Sequence, residues 1–239
     1  MATTVLPEVG SAPLRAVAPW WHTALLIAFF FLTAAGGAAL QYRARTRTDL
    51  MQQRPNVSLL YVSLLAGEWG LVYYVWQGGL RRSGITLVQF AGGRWNSVRA
   101  VFLDIVLACG IWILWRGISL LWVHWLGTGH AASISPLAPH GIAEAMLWVL
   151  LSISAGISEE LVFRGYLQRQ LTAFTGRTSL ALFLQVAVFG IAHGYQGVRS
   201  CLVIAVYGAL FTLVALWRKS LRPGMIAHAW TDIVGGLLG

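Results

Sequence analysis

The sequence predicts an all-α protein, a polytopic transmembrane bundle of about seven to eight helices, and three observations carry that expectation. Of 239 residues, 57% are hydrophobic and only 10% charged, against roughly 25% charged residues in soluble domains. Apolar runs long enough to cross a hydrocarbon core, which takes about 20 residues, recur along the chain between short polar connections. Twelve Trp, many near the ends of those runs, fit an interfacial aromatic belt, with Trp112 and Trp115 deeper and packed between helices. The formal charge of +9 falls mainly in the connections, where the positive-inside rule places it, so it excludes a nucleic-acid partner rather than implying one. Cys109 and Cys201 lie in apolar runs without CxxC spacing; buried thiols are expected, not a disulfide framework or a thiolate metal site.

Residues 1–18 contain Pro7, Pro13 and Arg15 and read as an irregular tail. The first span is Trp20 to Leu40, too long for the apolar core of a cleavable signal peptide and compatible with an uncleaved anchor. A polar loop carrying Arg43, Arg45, Arg47 and Arg54 follows, then a second span from Val57 to Trp76 interrupted by Glu68. The glycine-containing stretch from Gln77 to Ser97 is expected to hold a short amphipathic segment on the membrane. The third span, Val98 to Trp125, contains Asp104 and Arg116, which need partners. Gly127 to His140, with Pro136 and Pro139 and no Lys or Arg, reads as a turn. The fourth span begins at Gly141 and is expected to continue as one helix to Ala173. Thr178–His193, Arg199–Trp217 and a short Pro223–Leu238 complete the series, so residues 19–140 supply accessory spans and 141–239 a polar-rich second part.

With seven spans, ten basic residues gather on one side: Arg15, Arg81, Arg82, Arg94, Arg99, Arg169, Arg177, Arg218, Lys219 and Arg222. Five (Arg43, Arg45, Arg47, Arg54, Arg199) gather on the other. That bias predicts a cytoplasmic N-terminus, with the second end of the fourth span also cytoplasmic.

The stretch Ser158 to Arg164 sets two adjacent carboxylates and an arginine in an apolar run. Each charge costs roughly 2.5 to 3.5 kcal/mol at bilayer depth on insertion scales, so the group needs partners, water or a task. On a helix, Glu160 and Arg164 lie one turn apart and are expected to pair, whereas Glu159 points to another face and stays free. The fifth span ends F-G-I-A-H, with Phe189 one turn before His193, and the last holds H-A-W-T-D, with His228 and Asp232 one turn apart. Singly, each has a structural reading: a helix cap at His193–Gly194, an ion pair at Glu160–Arg164, a polar clamp at His228–Asp232.

Taken in order, E-E-x-x-x-R, F-x-x-x-H and H-x-x-x-D resemble the motifs of the CPBP family of intramembrane proteases (CAAX proteases and bacteriocin-processing enzymes, also called Abi), and the chain is similar to type II CAAX prenyl endopeptidases. The flanking E-E-L-V-F-R-G, F-G-I-A-H-G and P-G-M-I-A-H-A-W agree, and the resemblance covers roughly Gly141 to Gly239, which would be the catalytic core. It implies a polytopic endopeptidase with its active site in a water-accessible cavity between helices. By position, Glu159 would be the catalytic glutamate and His193 its partner in holding and activating water. Glu160 would be kept ionised by Arg164, and His228 would donate to the developing oxyanion. Asp232 stands where the family more often has Asn; an ionised Asp cannot donate, so it either orients and charges His228 or stays protonated.

Glu159, His193, His228 and Asp232 are also plausible ligands for zinc or another divalent metal, but there is no H-E-x-x-H. No cofactor is firmly implied, and a metal-free, glutamate-activated water is the preferred reading. The expected partners are membrane lipids and a membrane-anchored or lipidated peptide or protein substrate. The expected location is a plasma membrane, with the active site open to the cytoplasm. Two other functions are compatible with the residues. One is a transporter or proton pathway using Glu68, Asp104, Arg116, Glu144 and the later acids. The other is a noncatalytic immunity or scaffold protein of the same fold.

Overall fold

The computed structural model describes residues 15–46, 56–126 and 137–238. Most of the expected tail, part of the loop after the first span and most of the proline-containing turn lie outside the described residues. The order is α1 (Trp20–Thr46), α2 (Val57–Val75), α3 (Leu87–Phe90), α4 (Val98–Leu126), α5 (Gly141–Glu159), α6 (Gln168–Thr175), α7 (Thr178–Ala192), α8 (Val198–Arg218) and α9 (Arg222–Leu238). No strand occurs among the described residues. Five helical stretches are long and apolar enough to span a bilayer: Trp20–Arg43, Val57–Leu80, Val98–Trp125, Gly141–Thr175 and Val198–Arg218; Thr178–Ala192 is a shorter apolar helix. This is an all-α membrane bundle, as expected.

The fourth span runs on past the acidic pair but not as a uniform α-helix. Between α5 and α6, Glu160–Leu167 is wound as a π-helix, and α2 likewise ends in a π-wound stretch, Trp76–Leu80. Such widened turns break the i→i+4 ladder and are frequent at functional sites. The two meet, since a Cβ on Gly79 would lie 3.2 Å from the Tyr166 ring. The stretch before α4 holds a short helix. α3 is a single turn with a Thr86/Gln89 capping box; it buries Phe90 against Gly165 and leaves Val88 exposed.

α9 packs in the crook of α5 and α4, α7 pairs with α8, and α2 lies along α5, while α1 reaches the bundle through α7 and the turn after it. Phe163 joins these layers: its ring is 4.6 Å from Phe30 of α1 and 5.0 Å from Phe189 of α7. The α5–α9 crossing is close because Gly156 faces backbone; a Cβ there would meet the Met225 carbonyl oxygen at 2.7 Å. Trp115 packs on Tyr207 of α8 at 4.2 Å, as its depth in the sequence suggests. Cys109, in contrast, is on the exposed side of α4 and Cys201 is half-buried, so the expected burial of both thiols does not hold.

Two polar knots tie distant segments together. Asp104, fully buried, accepts from Trp95 Nε1 at 2.8 Å and Arg218 Nε at 2.9 Å, with Arg222 Nε at 3.3 Å. The start of α4, the end of α8 and the start of α9 are thereby drawn to one face. At α6, Gln170 Oε1 accepts from Val17 N at 2.7 Å and its Nε2 donates to the Ala18 carbonyl at 2.9 Å, gripping the residues that lead into α1. Tyr166 OH adds bonds to His22 Nδ1 at 2.7 Å and Thr23 Oγ1 at 3.2 Å.

Candidate functional site

Glu160 and Arg164 pair as the helical spacing predicts, with Nη1 to Oε1 at 3.1 Å and neither side chain exposed. The geometry is that of an ion pair rather than an aligned hydrogen bond, because Arg164 Nη1 has no well-directed acceptor. Its guanidinium lies over the Phe189 ring at 3.9 Å and beside Phe211 at 5.3 Å, so π faces replace water around the cation. Gly224 permits the carboxylate to approach α9, since a Cβ there would come within 2.8 Å of Glu160 Oε2. The glycine of the P-G-M-I-A-H stretch is therefore part of how the acid and the histidine helix close.

His228, also buried, stands between the carboxylates. Its Nδ1 is 3.2 Å from Glu160 Oε1, and its Nε2 is 3.7 Å from Glu159 Oε2 and 3.6 Å from Asp232 Oδ2. Only the first is a hydrogen-bond distance. Nε2 is thus close to two acids without being bonded to either. Trp148 Nε1 donates to the Asp232 carbonyl at 2.9 Å, and Tyr207 OH meets Thr231 Oγ1 at 2.6 Å. These bonds fix the turn of α9 that carries Asp232.

Glu159 faces the other way, as its neighbouring helical position requires, and lines a cavity of about 360 Å³ together with His193. Its Oε2 has no hydrogen-bond partner among the described residues. His193 caps α7 and its Nδ1 lies 2.9 Å from the Phe189 carbonyl. A carbonyl can only accept, so Nδ1 carries the proton, and in the neutral ring Nε2 keeps a lone pair. His193 makes no direct hydrogen bond or ion pair with Glu159 or His228 among the described residues; it lines the cavity with Glu159, whose Oε2 is 3.7 Å from His228 Nε2.

The cavity also contains residues not singled out as site groups from sequence. Glu68 of α2 faces it, its Oε2 accepting from Ser154 Oγ at 2.5 Å. Tyr195, two residues past His193, Thr33 of α1, Ser63 of α2 and Ser158 of α5 add to its polar lining, with Phe29, Phe30, Leu64 and Val162 supplying apolar wall. The one signal available in advance was that Glu68 is the acid interrupting an otherwise apolar second span.

The residues named as possible metal ligands do not assemble as a metal site: among the described residues no three His, Cys, Asp or Glu side chains converge so as to hold an ion. What the arrangement offers is a carboxylate with an unpartnered oxygen, an imidazole with an available lone pair across the same space, and a second imidazole anchored by a buried ion pair.

Residues 141–234, less than half of the chain, match the family model described as type II CAAX prenyl endopeptidase Rce1-like. No curated protein and no solved structure matches the chain.

Proposed function

We propose, from the premise that residues 141–234 carry the type II CAAX prenyl endopeptidase Rce1-like domain, that this integral membrane protein hydrolyses a peptide bond of a membrane-anchored or lipidated substrate. Glu159, His193 and His228 are the groups that act. The observation that supports the reading is the shared cavity lined by both Glu159 and His193, with Glu159 Oε2 lacking a hydrogen bond and lying 3.7 Å from His228 Nε2.

In the proposed reaction a water molecule accepts positioning from Glu159 and His193 Nε2. Glu159 takes its proton as the water oxygen bonds to the scissile carbonyl carbon. The negative charge that develops on the carbonyl oxygen is met by His228 Nε2–H, which is not held in a short bond by Asp232 or Glu159. With Nδ1–H donating to Glu160, the ring can donate from both nitrogens only as the imidazolium. Glu160 and Asp232 compensate that charge, which supports the orienting role for Asp232. The proton held by Glu159 then passes to the amide nitrogen, the C–N bond breaks, and an amine and a new carboxyl group leave. No step requires a metal ion.

A substrate chain has a route from the bilayer. The cavity is bounded by α1 residues Phe29, Phe30 and Thr33 and by α2 residues Ser63, Leu64 and Gly67. Among them Phe29 and Leu64 are exposed, which supports lateral access between α1 and α2. Arg218 and Arg222, gathered at Asp104, are on the side that the basic bias assigns to the cytoplasm. The transport alternative loses its relay. Asp104 is consumed by two arginines and Trp95, Glu144 accepts from the backbone of His140 at the start of α5, and Arg116 lies on the exposed face of α4.

The test is cleavage, in liposomes, of a peptide library with lipidated and unlipidated C-termini. Wild type should cut some member. Glu159→Ala and His193→Ala should each lower the rate by about a hundredfold or more with unchanged melting in detergent; full activity in either variant refutes the assignment.

A further inference from the structure

The charge inventory of the cavity is one-sided. Its lining holds two carboxylates, Glu68 and Glu159, and no Lys or Arg. The guanidinium nearest in sequence, Arg164, is committed to Glu160 and the Phe189 face and does not line the space. His193 cannot offset the charge while its ring is neutral. The proposed hydrolysis uses one carboxylate as proton carrier, so Glu68 has no part in it. Yet Glu68 is not loose: the Ser154 hydroxyl from α5 donates to one oxygen at 2.5 Å and fixes the carboxyl on the α2 side of the cavity. It stands within electrostatic range of Glu159, Asp232 and His228. A carboxylate held in a largely apolar wall whose lining carries no lysine or arginine is best completed by a cation brought by the ligand.

We propose that Glu68 is a specificity-determining residue that receives a cationic side chain, lysine or arginine, of the peptide substrate close to the bond that is cut. This rests on the endopeptidase reading and names a substrate class for it. The same field works in reverse, since a glutamate or aspartate at that substrate position brings a third carboxylate into the cavity. Selection is therefore by repulsion as well as attraction. Ser154 is a positioning residue, acting by holding Glu68 in place.

The experiment uses the full chain in nanodiscs and fluorescent peptides identical except for Lys, norleucine or Glu at each of the two positions on either side of the scissile bond. Both cleavage (kcat/KM) and equilibrium binding are read. At one position, Lys should exceed norleucine by about tenfold and norleucine should exceed Glu. In Glu68→Gln, whose amide oxygen can still accept from Ser154, the Lys-to-norleucine ratio should fall to about one; in Ser154→Ala it should fall part of the way. Peptides cut with no Lys preference at any position, or a preference that survives in Glu68→Gln, overturn the proposal and leave the endopeptidase reading standing. Absence of cleavage alongside a Glu68-dependent preference in binding sustains the cation site and removes the reaction. Absence of both removes both.

Discussion

Replacing Arg164 with methionine isolates the energetics of the buried pair on which the site is built. Methionine keeps most of the volume but leaves Glu160 with 0% exposure and only His228 Nδ1 facing it. Breaking a buried ion pair from one side costs about 3–5 kcal/mol, because the surviving carboxylate cannot hydrate and keeps only His228 as a partner. The stack on Phe189 at 3.9 Å is lost as well, a contact worth about 2 kcal/mol when desolvated. Taking the first figure alone, at about 2–4 °C per kcal/mol for a chain of this size, the melting midpoint should fall by about 6–20 °C. The assay is fluorescence-detected melting in a single detergent, run on Arg164→Met, Glu160→Gln and the double variant. The double variant should recover about half of the loss of Arg164→Met, since no buried carboxylate short of a full charge partner remains. A drop under about 2 °C, or a double variant whose loss equals the sum of the singles, refutes the account of Glu160 as a charge held by Arg164.

Two further outcomes follow from the packing and the donor geometry. Gly156→Ala places a methyl against the Met225 carbonyl at 2.7 Å and the Ala229 nitrogen at 2.8 Å; both are backbone, so α5 and α9 must part. The expected cost is about 1–3 kcal/mol, read as a lowered melting midpoint together with lost cleavage, because Glu160 and His228 sit on the two helices that separate. Incubation with EDTA or phenanthroline should leave cleavage unchanged, and loss that added zinc restores would overturn the metal-free route.

The Glu160–Arg164 pair was legible because both partners sit on one helix, where spacing alone sets proximity. The same is true of His228 and Asp232. The split between Glu159, facing the cavity, and Glu160, facing Arg164 and His228, also follows from the turn of a helix. The π winding of Glu160–Leu167 was not legible: E-L-V-F-R-G-Y-L contains no proline, and a widened turn is a tertiary compromise rather than a local preference. Glu68 was visible as an acid in an apolar run, but its place opposite Glu159 depends on α2 lying along α5, which no periodicity in either segment specifies. The burial of Phe90 was not legible either, because it depends on Gly165 of a distant helix leaving room for its ring.

The grip of Gln170 on Val17 and Ala18 bears on biogenesis. The two ends of that clasp are 153 residues apart in the chain, so at about 5–20 residues per second a ribosome needs about 8–30 s to deliver the second after the first. Over that interval the first-made helix waits in the lipid with its leading amides unclaimed, available to insertion factors or to other nascent chains. The last-made third of the polypeptide is what finally moors the first.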